Sequence, residues 1–99
     1  MLPEDDFPIT ADDLQFIVGD EYETIRSLAI DNSFCHTCFK KKGYQMKIDR
    51  LYLLSNNDVV FKGTCTRCGG RMARVVEIGE QSKYRIKTDL VRNQKNNKN

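Results

Sequence analysis

The chain has 99 residues, of which 39% are hydrophobic and 30% are charged, and its formal net charge is +2. This composition is enough for one small folded domain and excludes a large enzyme or a wholly disordered chain. No apolar run approaches the roughly 20 residues of a membrane span, and the acidic start lacks the pattern of a signal peptide. We therefore expect an intracellular, cytoplasmic protein that does not associate with a membrane.

The charge is divided unequally along the chain. Residues 1–32 carry nine acids and one base, whereas residues 33–99 carry fifteen bases and five acids. Opposite charges in the two parts predict segments with different roles, or an acidic segment that shields a basic one.

The acidic segment predicts two short helices. Thr10 is expected to cap the first, with two aspartates in its first turn, and Gly19 to end it. Asp20 and Glu23 resemble a capping box ahead of the second helix. The apolar residues then fall at helical spacing: they are Leu14, Ile17, Val18, Tyr22, Ile25, Leu28 and Ala29.

In the basic segment the apolar period changes to two, which predicts an antiparallel hairpin. Its turn is placed at Asn56 and Asn57, because Asn tolerates positive φ. In that register Tyr52 faces Phe61, and we expect both rings to be buried and glycine to be tolerated at position 57. A third strand is predicted over residues 71–78, and its apolar side chains lie on one side.

The end of the chain gives weaker signals. Residues 83–87 alternate as an extended segment does, and residues 89–92 fit a helical turn. The tail from residue 93 has no apolar residue, which predicts disorder.

The four cysteines form two C-x-x-C pairs separated by 26 residues. Two such knuckles supply four thiolates in a tetrahedron, which suits Zn²⁺. The two glycines after Cys68 leave room for positive φ and for backbone N–H groups turned toward sulfur. We therefore expect one structural zinc ion, bound by Cys35, Cys38, Cys65 and Cys68.

Over roughly residues 33–79, the two knuckles, the hairpin between them and the strand after Cys68 resemble the zinc ribbons. The resemblance is to a fold group and not to a specific family, and Phe39 stands where many ribbons have Gly. It implies a small α+β protein in which short N-terminal helices precede a three-stranded antiparallel zinc ribbon. The chain is then divided into an acidic helical segment (1–32), a zinc ribbon (33–79), a C-terminal extension (80–92) and a disordered tail (93–99).

Other uses of the cysteines stay open at this point. Rubredoxins bind iron with two similar knuckles, but they are typically acidic and rich in aromatic residues around the iron. Disulfides would need an oxidising compartment, and a thioredoxin-like pair would need a helix start in a βαβ context that this sequence lacks.

We expect no enzymatic activity and no small-molecule substrate. Four sulfurs close the metal site and leave no position for a catalytic water, so His36 is expected to face solvent. The sequence also has no Ser/His/Asp arrangement and no Gly-rich phosphate loop.

The basic residues near the knuckles suggest a function. Zinc ribbons occur in transcription factors, RNA polymerase subunits, ribosomal proteins and transposases, and as structural staples in enzymes. We expect an accessory module that acts with nucleic acid or its machinery, with Phe39 and Tyr44 placed to stack on bases. The expected phosphate contacts are Lys40, Lys41, Lys42, Arg67, Arg71 and Arg74. The alternatives are an adaptor that binds an acidic partner protein, and a thiol redox switch that releases zinc on oxidation.

Overall fold

The computed structural model describes residues 7–96, which form a four-stranded antiparallel sheet and three helices. The strands lie in chain order across the sheet, and the inner side chains of the sheet share one core with the helices. The elements are β1 (Phe7–Ile9), α1 (Ala11–Val18), a 3-10 turn (Gly19–Glu21), α2 (Tyr22–Asp31), β2 (Met46–Leu53), β3 (Val59–Cys65), β4 (Arg71–Val76), a 3-10 turn (Ser82–Tyr84) and α3 (Arg85–Asn96).

The small α+β fold is confirmed, but the sheet has a fourth strand that the sequence did not predict. β1 pairs with β2, so that Ile9 lies opposite Leu51. Three residues are too few to show a period of two, and Pro8 suits an edge strand because it cannot donate to a ladder. Residues 7–9 of the acidic segment therefore belong to the sheet.

The first predicted helix is confirmed in detail. The Thr10 hydroxyl accepts a hydrogen bond from the Asp13 N–H (3.1 Å), and the Asp13 carboxylate accepts one from the Thr10 N–H (2.9 Å). This pair is the capping box, whereas the box expected from Asp20 and Glu23 is wrong because a 3-10 turn leads directly into α2. The apolar residues predicted for both helices are buried or half-buried: Leu14, Ile17, Val18, Tyr22, Ile25, Leu28 and Ala29.

The predicted hairpin forms, with a register one residue away from the predicted one. Phe61 lies opposite Leu51, and Tyr52 lies opposite Val60. The Asn57 N–H donates to the Leu54 carbonyl (2.9 Å), and Asn57 adopts a φ of 71° as the sequence predicts. A turn closed by this left-handed residue makes a loop of three residues in place of two.

A β-bulge in β2 follows Ile48 and shifts the register again. Gly63 lies opposite Ile48, and a Cβ at this glycine would come within 1.9 Å of the Lys47 carbonyl oxygen. Only glycine permits this close approach. The result is that Met46 lies opposite Cys65, where β3 reaches the second knuckle.

The C-terminal segment is helical, which corrects the extended prediction for residues 83–87. Tyr84, Thr88 and Val91 are buried at helical spacing, and the Thr88 hydroxyl donates to the Tyr84 carbonyl (2.8 Å). The helical period is not evident from the sequence, because Ile86 and Leu90, the other large apolar residues of this segment, are exposed and do not share the buried face. α3 continues through residues 93–96, where disorder was predicted, and residues 97–99 lie outside the described part.

α3 also holds the tip of the hairpin. The Arg92 guanidinium donates to the Asn57 side-chain oxygen from Nε (3.1 Å) and Nη2 (2.8 Å), and Nη2 donates to the Leu54 carbonyl (2.6 Å). The buried Asp58 carboxylate accepts a hydrogen bond from the Gly79 N–H (2.8 Å). Asn57 therefore has two roles: it adopts the positive φ of the turn, and its side-chain oxygen binds Arg92 of α3.

The first prediction concerns Asn57→Gly, which keeps positive φ but removes the acceptor for Arg92. We now expect it to lower the free energy of unfolding by about 1.5–3 kcal/mol, because hydrogen bonds to a charged group are lost. In an Arg92→Ala background the same change should be neutral, and urea unfolding measures both. Equal effects in the two backgrounds would contradict this role.

The second prediction compares the two rings of the hairpin. Phe61 is 1% exposed and faces the core, whereas Tyr52 is half-buried on the opposite face. Phe61→Ala should cost about 3–5 kcal/mol and Tyr52→Ala about 1 kcal/mol. Urea unfolding of the metal-loaded protein tests this, and similar costs for the two variants would mean that the register is wrong.

Candidate metal centre

The four cysteine sulfurs lie within 4.8 Å of one another, and Sγ of Cys35 is 3.6 Å from Sγ of Cys68. Zn–S bonds of about 2.3 Å in a tetrahedron place sulfurs roughly 3.8 Å apart, which is close to this separation. A disulfide would require about 2.05 Å, and the four cysteines are free thiols. Cys35, Cys38, Cys65 and Cys68 are therefore positioned to bind one metal ion, as the sequence predicts.

The second knuckle (residues 65–68) is the turn between β3 and β4. The Cys65 N–H donates to the Gly70 carbonyl (2.8 Å), and the Gly69 N–H donates to the Cys65 carbonyl (2.9 Å). Gly69 has a φ of 77°, which favours glycine. The N–H groups of Arg67 and Gly70 point at Sγ of Cys65 and Cys68, each at 3.4 Å. Backbone donors thus stabilise thiolates here, as the glycines predicted.

The first knuckle (residues 35–38) lies in the connection 32–45, which contains no helix or strand. Cys35 and Cys38 are each 1% exposed. A pair of hydrogen bonds joins this connection to the second knuckle, because Gln45 N–H donates to the Thr66 hydroxyl (3.0 Å) and Thr66 N–H to the Gln45 carbonyl (2.9 Å). The two knuckles are therefore held side by side at one end of the sheet.

The thiols of the cluster influence one another. Burial raises the pKa of Cys65, but the N–H groups of Cys68 and Arg67 and the neighbouring thiols outweigh burial and lower it to about 7. Burial and the neighbouring sulfurs raise the pKa of Cys38. One thiolate is thus stabilised while a second is opposed, because burial disfavours its charged form and the neighbouring sulfurs add to that effect. A bound cation would remove this conflict and allow all four thiolates to form.

Arg74, one of the six expected phosphate contacts, makes a hydrogen bond within the fold. It is half-buried, and its Nη1 donates to the Asn32 carbonyl (3.0 Å) at the C-terminal end of α2. The Ser33 hydroxyl donates to the Ala29 carbonyl at the same helix end. The Arg74 bond joins the end of α2 to β4, and the Ser33 bond closes the last turn of the helix, just before the first knuckle begins.

The other expected phosphate contacts are exposed. Residues 40–42, which we call the lysine run, follow the first knuckle, Arg67 lies in the second, and Arg71 begins β4. The structure therefore places these five bases at the knuckle end of the molecule. His36 is also exposed and is not part of the sulfur cluster.

Sequence reasoning missed three further bases that the sheet brings together. Arg50 lies opposite Lys62, and Lys47 shares the next row with Thr64 and Arg71. We call the surface formed by Lys47, Arg50, Lys62, Arg71 and the ring of Tyr52 the outer face. Its bases stand on the side of the sheet away from the core. The alternation of charged and apolar residues predicts such a face. The sequence does not show which bases share it, because the bulge after Ile48 changes the register.

Comparison with protein-family models, with curated proteins and with solved structures found no match. Among the described residues, no helix is long and apolar enough to cross a membrane.

The third prediction concerns the metal. Structural zinc contributes roughly 10–16 kcal/mol in small zinc modules, which exceeds or matches the about 5–15 kcal/mol net stability of a domain. Strong chelation or Cys65→Ser should therefore abolish the cooperative thermal transition, followed by circular dichroism. His36→Ala should keep the bound metal and change the unfolding free energy by less than about 0.5 kcal/mol. A Cys65→Ser variant that melts with the parent protein would contradict a structural metal.

Proposed function

We propose that the four cysteines bind one structural Zn²⁺ and that the resulting zinc ribbon acts as an accessory module with nucleic acid. Four thiolates in a tetrahedral cluster are typical of structural zinc sites. The knuckles are surrounded by bases, unlike the acidic surroundings typical of rubredoxin iron. Metal analysis of protein purified from its native host distinguishes the two metals.

The arrangement of the strands supports the zinc-ribbon interpretation. β2 and β3 form the hairpin between the knuckles, the second knuckle is the β3–β4 turn, and β4 completes a three-stranded unit. β1, the N-terminal helices and α3 are additions around that unit. The described part of the acidic segment, residues 7–32, packs into the core, so it stabilises the ribbon.

The observation that carries the nucleic-acid proposal is the outer face. Paired residues on neighbouring antiparallel strands stand about 5 Å apart, so Arg50 and Lys62 form one cationic row, and Lys47 and Arg71 lie in the next. Asp49, at the bulge, is the one acid that lines the same shallow depression among the described residues. A cluster of like charges on an open face is suited to a polyanion.

The outer face is continuous with the knuckle end. Arg71 belongs to both, because it begins β4 directly after the second knuckle. The metal would hold the lysine run beside that knuckle, and phosphate groups along one strand could then contact both groups of bases. Such contacts position a nucleic acid without reading its sequence.

The fourth prediction tests this function by salt dependence. Binding of mixed-sequence oligonucleotides, followed by fluorescence anisotropy, should weaken linearly in log K against log salt, because each neutralised phosphate releases counterion. Lys41→Glu with Arg71→Glu should weaken binding at least tenfold for all sequences alike. The matched control, Arg85→Glu with Lys87→Glu on α3, makes the same change of net charge and should have a much smaller effect.

Absence of nucleic-acid binding by the zinc-loaded protein at roughly 50 mM salt would contradict this function. Capture of an acidic protein that the double reversal abolishes would then favour the adaptor. Release of zinc by mild peroxide, reversed by a thiol reductant, would favour the redox switch.

A further inference from the structure

Two aromatic side chains beside the first knuckle are directed into solvent. Phe34 is 59% exposed and Phe39 is 49% exposed, although each lies next to a cysteine that is 1% exposed. Their ring centroids are 5.4 Å apart and the rings are inclined by 34°. The His36 ring packs edge-on against Phe34 at 6.4 Å. We call Phe34, His36 and Phe39 the aromatic cluster.

The knuckle explains why these rings stay outside the core. Cys35 and Cys38 are turned inward toward the sulfur cluster, and the short backbone between them leaves little freedom to its neighbours. Phe34 and Phe39 flank this inward pair, so they could not reach the core without withdrawing a ligand. The aromatic cluster is thus presented by the metal centre itself.

The positive charge around the aromatic cluster indicates which kind of partner it can bind. Residues 32–48 contain no acid and include the lysine run. Nζ of Lys40 lies 5.6 Å from the centroid of the Phe39 ring. A partner for this surface must offer flat apolar groups together with negative charge at a spacing of a few ångströms. Unpaired nucleotides meet both requirements, since a base stacks on an aromatic ring while its phosphate reaches a lysine.

We propose that the aromatic cluster is a stacking site for unpaired bases, with the lysine run binding the adjoining phosphates. The protein then prefers single-stranded over duplex nucleic acid, because the faces of bases inside a duplex are already stacked. This inference rests on the proposed function and specifies its substrate. The outer face supplies attraction to any polyanion, whereas the aromatic cluster supplies the preference for single strands.

The test uses the full zinc-loaded chain and fluorescein-labelled probes at fixed salt. The probes are a twelve-residue oligothymidylate, a backbone of equal length without bases, and a duplex of equal length. We expect the oligothymidylate to bind at least tenfold more tightly than the abasic backbone. Phe34→Ala with Phe39→Ala should remove most of that difference and leave duplex binding within about twofold, since one stacked base contributes fivefold or more.

Two further variants separate stacking from other effects. Phe39→Trp should retain the preference and show quenched tryptophan fluorescence on binding, whereas Phe39→Leu, which stays apolar, should lose it. The matched control is Phe16→Ala, because Phe16 is 48% exposed and also has a lysine nearby, with Nζ of Lys87 at 5.5 Å. It should change no affinity. Zinc content and the melting temperature confirm that each variant is folded.

The outcomes separate the two proposals. If parent and variants all bind the oligothymidylate and the abasic backbone with equal affinity, the stacking site is overturned. The proposed function would still stand if that binding weakened with salt. No binding of any probe would overturn both. The Phe34→Ala, Phe39→Ala variant could also keep its zinc and lose affinity for the oligothymidylate, the abasic backbone and the duplex alike. That result would show that these rings act through the outer face, and it would also overturn the stacking site.

Discussion

The meeting of four sulfurs at one end of the sheet is the constraint on which the rest of the structure depends. The hairpin of β2 and β3 spans the distance between the two C-x-x-C pairs and returns Cys65 to the first knuckle. The connection 32–45 has no helix or strand of its own, and long connections of this kind need an anchor. Its two buried cysteines can provide one, because a metal ion bound by them would order the connection as well as close the site.

The opposite end of the sheet is held without metal. Arg92 on α3 binds the three-residue turn around Asn57, and Asp58 joins that turn to Gly79 after β4. The acidic segment covers the inner face with α1 and α2, and the Lys95–Asp13 ion pair (2.9 Å) joins α1 to α3. The sulfur cluster thus lies at one end of the sheet, the hydrogen-bonded tip of the hairpin at the other and the apolar core between them. Among the described residues, the bases at the knuckle end and most of those on the outer face are exposed.

Local signals predicted the features that depend on few residues. The cap at Thr10, the positive φ of Asn57 and the four-cysteine cluster each follow from side-chain chemistry at fixed spacing. Features set by distant contacts were not predictable in the same way. The hairpin register depends on a bulge that Gly63 permits, and the hydrogen bond of Arg74 to the end of α2 joins residues that are far apart in the sequence. A three-residue edge strand such as β1 is too short to show a periodic pattern of apolar residues.

The central claim is that one metal ion, bound by four cysteine sulfurs, holds the two knuckles together. X-ray absorption at the zinc edge of the purified protein tests it most directly. The claim predicts a single shell of four sulfurs at about 2.3 Å and no nitrogen or oxygen ligand. A shell that contains nitrogen or oxygen, or fewer than four sulfurs per zinc, would contradict it.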